Sequence, residues 1–214
     1  MGLSIGILGL GKYGRSLAEH MYKLGADVLV ADKDSVIIEE FSSKVNFAVC
    51  ADLANEAELN DLGLGNLDVV VVSMGSNLEA TIMSVAIAKE KGVGYVMAKT
   101  SSERMSSILT KIGVDKLIDP EEESGIRTAK ILASGRVIDY IDIEGNLCMV
   151  EIKPKEKWLG HSLKDLEIRR TDHINIIAIK QGEEDWAFPD PRVEITAETS
   201  LMAVLDKKDL TRVQ

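Results

Sequence analysis

An apolar run over residues 3–8 ends at Gly9-Leu10-Gly11-Lys12-Tyr13-Gly14, and an amphipathic pattern starts directly behind it. A GxGxxG hexapeptide is unspecific by itself, but between a strand and a helix it dictates one arrangement. The first glycine permits a tight turn, the second lets an anion approach the backbone, and the third lets the helix pack close to the strand. The helix start then offers backbone N–H groups and the positive end of its dipole to a phosphate.

The rest of the N-terminal part agrees with that arrangement. Over 14–24, Leu17, Ala18, Met21 and Leu24 share one helical face. Short apolar runs recur at 27–32, 47–50, 69–72, 95–98 and 116–118, separated by helical patterns at 35–43, 56–62, 78–90 and 103–111. The four consecutive valines Val69 to Val72 suit a strand covered on both faces, as in a parallel sheet. Pro120 opens a further helix, because proline is tolerated in a first turn. Strand and helix in alternation, with right-handed crossovers, give a doubly wound sheet.

The texture changes near Ser134-Gly135. Strand-like runs follow at 137–143, 147–152, 174–179, 186–188 and 201–205, with Glu144-Gly145-Asn146 as a hairpin turn and 162–166 as a short helix. The expected architecture is α/β: a Rossmann-type doubly wound parallel sheet over 1–134, then a smaller α+β domain over 135–214.

Asp32 closes the second predicted strand, roughly 20 residues beyond the glycine loop, where a carboxylate accepts from both ribose hydroxyls. The same charge repels a 2′-phosphate and disfavours NADP. Asp32 could instead cap the next helix, although Asp34 and Ser35 compete for that role. Lys12 opposes the dipole of its own helix, a cost that a bound phosphate removes, unless it is a solvated surface lysine. Asp52, Ser73, Gly75 and Lys99 fall at or just after strand ends, the edge where such sheets take ligands. Asp52 is a candidate for the adenine amino group, or a loop carboxylate; Lys99 is a candidate second phosphate contact. Tyr13, Lys33, Leu53 and Met74 flank these positions and complete the candidate site.

Composition excludes several classes of function. The net charge is -10, and acidic side chains outnumber basic ones in both parts, which disfavours nucleic acid and acidic lipid surfaces as partners. No apolar run is long enough to span a bilayer and the N-terminus carries no leader pattern, so the expected location is the cytosol. Cys50 and Cys148 lie in strand-like runs and read as buried small hydrophobes. Of the three histidines, His20 falls on the first helix away from the strand tips, His161 and His173 flank no acidic cluster, and no HExxH or Walker lysine motif occurs. Catalysis is therefore not expected.

Beyond the glycine loop, the segments CADLANEAEL, VVVVSMGSNLEAT, KIGVDKLIDPEEESG and WLGHSLKDLEIRR followed by INIIAI resemble RCK (regulator of K+ conductance) proteins. The resemblance is to the KtrA/TrkA-type subunits of potassium-uptake systems and covers essentially the whole chain. It implies a regulatory subunit that binds ATP, ADP or NAD(H), forms dimers that assemble into an octameric ring, and gates a membrane-embedded potassium transporter subunit. It places Lys12 at the terminal phosphate of ATP, where many relatives carry arginine. It places Glu121 at a divalent-cation site, although Glu121, Glu122 and Glu123 also simply suit a helix start. It places Leu163, Arg169 and Ile177 at a second-ligand site for cyclic di-AMP, although Arg169 and Arg170 also read as a surface basic pair. The rival functions are a small NAD-dependent oxidoreductase and a free-standing nucleotide-sensing dimer.

Overall fold

The computed structural model describes residues 2–143 and 145–213. The chain divides into two compact units, Met1–Pro120 and Glu121–Gln214.

In the first unit, six strands form one parallel sheet: β1 (Ser4–Leu8), β2 (Asp27–Asp32), β3 (Phe47–Cys50), β4 (Val69–Val72), β5 (Tyr95–Lys99) and β6 (Lys116–Ile118), in the order β3-β2-β1-β4-β5-β6. The order reverses between β1 and β4, and the strand tips there flank the glycine loop. Helices α1 (Lys12–Lys23), α2 (Ser35–Phe41), α3 (Glu56–Asp61), α4 (Leu78–Glu90) and α5 (Glu103–Ile112) connect them. The valine strand shows why both faces must be covered. Val70 and Val72 join Leu8, Val96 and Leu109 in one core cluster, while Val71 joins Ile7, Val28 and Phe41 in another. Each buried valine of this kind contributes ~1.5–3 kcal/mol relative to an exposed one.

The second unit begins with α6 (Pro120–Ser134) and continues through β7 (Val137–Asp142), β8 (Leu147–Ile152), α7 (Leu163–Leu166), α8 (Ile168–Thr171), β9 (Asn175–Gln181) and β10 (Thr199–Asp206). Its four strands are antiparallel in the order β7-β8-β10-β9. Trp158, Ile152, Ile174, Ile195 and Leu201 fill its core. A reciprocal capping box between Ser162 and Asp165 starts α7.

Three features differ from the sequence reading. Helix α6 groups with the second unit, one helix ahead of the Ser134-Gly135 texture change. Its ties to that unit are side-chain contacts that periodicity does not reveal: Ile131 against the core, Arg127 to Asp139 at 2.5 Å, and Lys130 to the Tyr140 hydroxyl at 2.7 Å. Residues 186–188 are not a strand of the sheet. Only Ala187 bridges to Ile179, Phe188 is 94% exposed, and Pro189 and Pro191 supply no N–H for a ladder. Cys50 is exposed because β3 is an edge strand; Cys148 is buried, and both are free thiols. The hairpin turn, by contrast, falls where it was expected, at Gly145 and Asn146; Glu144 lies outside the described residues.

Candidate functional site

Gly9 adopts φ +96°, a left-handed conformation that favours glycine. Its N–H donates to the Ala31 carbonyl at 2.8 Å, which ties the loop to β2. At Gly14 a Cβ would lie 2.1 Å from the Gly9 carbonyl oxygen, so only glycine lets α1 come this close. Gly11 is the opposite case: a Cβ there meets nothing within 4 Å, and the residue faces open space. The backbone thus demands glycine at Gly9 and Gly14, whereas no neighbouring atom demands it at Gly11.

Gly11 is the N-cap of α1, and no side chain caps that helix. By contrast Asp34, Asn55, Asn77 and Ser102 cap α2, α3, α4 and α5. Asp34 therefore fills the capping role that competed for Asp32. The Asp32 carboxylate instead accepts the Leu10 N–H at 2.5 Å on Oδ2 and the Asp34 N–H at 3.0 Å on Oδ1. Each oxygen retains a further lone pair, and the group is only half-buried at the β2 tip. An uncapped helix start, an open glycine and a fixed carboxylate suit a phosphate and a ribose respectively.

The other candidates divide between this edge and the interior. Lys12 is exposed in the first turn of α1, and Tyr13 packs partly against the core behind it. Lys33 is exposed next to Asp32, and its carbonyl accepts the Cys50 thiol at 3.6 Å. Asp52 is exposed beyond β3, with its carboxylate accepting the Ala54 N–H at 3.0 Å. Leu53 does not line an open wall: its side chain is 3% exposed and packs in the core. Ser73 is also buried, and its hydroxyl donates to the Gly9 carbonyl at 2.5 Å. Met74 packs beside Gly9, and the Lys99 side chain runs alongside Gly75. The sequence could not separate these lining residues from internal braces, because the partners lie on other strands.

In the second unit, Leu163 and Arg169 line one cleft of about 300 Å³ together with Glu167, Asn175, Pro189 and Pro191. Ile177 does not line it; the neighbouring Ile176 does, because adjacent strand residues face opposite sides. The proline pair in the acidic 183–191 loop was the available signal for the far wall. Helix α8 forms part of this cleft and is bracketed by two non-glycine residues with positive φ, Glu167 at 45° and His173 at 60°. Replacing Glu167 by Gly removes that backbone strain, so the second unit is expected to gain about 1 kcal/mol in denaturant unfolding. Glu121 stands with Glu122 and Glu123 in the first turn of α6. Among the described residues no three His, Cys, Asp or Glu side chains form a group that could hold a metal ion. Among them, too, no helix is long and apolar enough to cross a membrane.

A six-stranded parallel sheet with this glycine loop at its order reversal defines a Rossmann-type nucleotide-binding fold, here followed by a small antiparallel module. The TrkA-N domain model matches residues 5–120. The chain belongs to the TrkA-N family, among the Ktr/Trk-type RCK proteins. It is 33% identical to Ktr system potassium uptake protein C of Bacillus subtilis over 208 residues, 97% of this chain and 94% of that protein. It is 29% identical to Ktr system potassium uptake protein A of the same organism, with the same coverage of both chains. Among solved structures it resembles the GsuK channel bound to NAD, with a TM-score of 0.64 and 15% identity, covering 100% of this chain and 39% of that one. It thus spans less than half of that channel chain, and the likeness is one of fold.

Proposed function

We propose that this chain is a regulatory subunit that binds an adenine nucleotide, ATP/ADP or NAD(H), at the glycine loop and thereby gates a membrane-embedded potassium transporter from the cytoplasmic side. The observation that carries this reading is the pairing of an uncapped α1, open above Gly11, with an Asp32 carboxylate held at the β2 tip. The names of the Ktr relatives support the potassium-transport context, and a GsuK channel with the same fold binds NAD. The chain acts as a regulator, with no chemical step of its own. Dimers assembled into an octameric ring would convert occupancy into shape, provided the nucleotides bind the ring's shapes with different affinities.

Lys12 would supply that difference by meeting the terminal phosphate of ATP. Lysine is a point charge and lacks the bidentate fork of arginine. Lys12→Ala is expected to weaken ATP roughly tenfold and ADP less, because the lost contact is specific to the third phosphate. Calorimetric titration of both nucleotides checks this; equal losses would remove the phosphate-reading role. Co-purification with a potassium-transporter membrane subunit, and native mass spectrometry of the assembly, test the gating reading itself. The cleft bearing Leu163 and Arg169 suits cyclic di-AMP as a second regulatory ligand, with Arg169 pairing a phosphate. A divalent cation at Glu121 would draw its remaining ligands from a second copy of the chain.

A further inference from the structure

Gly9 C=O and Leu10 N–H are the two polar ends of one peptide group, and each end is held from a different strand. The Ser73 hydroxyl, at the tip of β4, donates to the carbonyl at 2.5 Å. The Asp32 carboxylate, at the tip of β2, accepts the N–H at 2.5 Å. Ser73 is 6% exposed, and its Oγ lies 2.6 Å from where a Cβ on Gly14 would be. No ligand atom has room to reach that oxygen from the α1 side. Its backbone N–H is occupied as well, donating to the Leu8 carbonyl at 2.8 Å.

We propose that Ser73 is a positioning residue that sets ribose recognition indirectly, by locking the Gly9–Leu10 peptide so that Leu10 N–H aims the Asp32 carboxylate at a ribose diol. The proposal rests on the nucleotide reading above and changes the role of Ser73 within it from contact to brace. The peptide needs a brace because Gly9 leaves its own torsions soft. Without the Ser73 hydroxyl, the buried Gly9 carbonyl loses its donor from β4 and the peptide plane can turn. Leu10 N–H then leaves Oδ2, and the carboxylate is held only through Oδ1 by Asp34.

The consequence is specific to the sugar. An oriented carboxylate discriminates for a ligand carrying both ribose hydroxyls, whereas phosphate binding at α1 does not pass through Asp32. Ser73→Ala should therefore weaken ADP about tenfold, leave 2′-deoxy-ADP within about twofold, and so collapse the preference between them. A generally loosened fold would weaken both ligands alike.

Calorimetric titration of wild type and Ser73→Ala with ADP and with 2′-deoxy-ADP reads that preference. In parallel, NMR of the ligand-free proteins reads the Leu10 amide, which should be far downfield and slowly exchanging in wild type and should shift upfield and exchange faster in Ser73→Ala. An unchanged ADP preference, an equal loss for both ligands, or an unmoved Leu10 amide would each overturn the proposal. If wild type binds neither ligand, the nucleotide reading fails and the recognition role of Ser73 fails with it, while the amide measurement still decides whether the hydroxyl braces the peptide.

Discussion

Gly14→Ala is expected to abolish nucleotide binding and to destabilise the first unit, whereas Gly11→Ala, three residues away, should abolish binding alone. The contrast follows from what each added methyl meets. At Gly14 it lies 2.1 Å from the Gly9 carbonyl oxygen and 2.6 Å from the Ser73 hydroxyl. Neither group can retreat, because the Ser73 hydroxyl holds the Gly9 carbonyl and the Ser73 N–H is itself tied to the Leu8 carbonyl. Helix α1 must lift, at an overpacking cost of ~1–3 kcal/mol, and the peptide that orients Asp32 goes with it. At Gly11 the methyl meets nothing, and the backbone at φ -64° and ψ -177° suits any residue. Alanine is only a poorer N-cap, worth less than ~1 kcal/mol, yet its methyl occupies the space through which a phosphate approaches. Hydrogen exchange of β1 and α1 amides reads the stability of this unit, and titration reads binding. Equal stability of the two variants would show that close helix–strand contact is not what Gly14 provides.

The second large effect is expected at the other end of the chain. Asp172 and Lys155 form an ion pair at 2.8 Å with side chains only 11% and 12% exposed. Lys155 also donates to the Arg212 carbonyl and lies 5.2 Å from the centre of the buried Trp158 ring. Asp172→Ala leaves that ammonium buried without its counter-charge, and removing one partner of a buried pair costs ~3–5 kcal/mol. Asp190 is the informative control. Arg192 pulls its carboxyl down to about 2, yet the pair lies in water, with the arginine 82% exposed. Asp190→Ala should leave the unfolding midpoint nearly unchanged. A low pKa therefore does not rank the two pairs; burial does. Trp158 and Trp186 are the chain's two tryptophans and both belong to the second unit, so fluorescence-detected unfolding reads this unit directly.

The pH dependence has a definite sign. Burial alone would push the Asp172 carboxyl up, but Lys155 and Thr171, with Lys157 further off, hold it below the ordinary carboxylate value. A carboxyl depressed in the folded state contributes stability that is complete above its unfolded pKa of about 4 and is lost as pH falls through the lower folded value. The second unit of the wild type should weaken below pH 4, and Asp172→Ala should flatten that slope. An unchanged acid slope would place the acid-sensitive carboxylates elsewhere, for instance at Asp142, which Lys207, Tyr140 and Lys130 hold down to about 2.

The elements whose physics is local were legible in the residues alone. Glycines fixed a turn, a helix start and a close approach within six residues, and the valine strand fixed burial on both faces. Asp34 in place of Asp32 as helix cap was one of two options already visible in neighbouring positions. Whatever depends on partners far along the chain emerged only with folding. Ser73 reads as a strand-end ligand until its hydroxyl is found 64 residues back, on Gly9. Leu53 looks equally available until its side chain is found in the core. Helix α6 joined the second unit through Arg127, Ile131 and Lys130, whose partners no helical period predicts. Periodicity records which face of an element avoids water, because burial acts on each side chain separately; a hydrogen bond or ion pair needs two groups in register, and only the folded chain supplies the second.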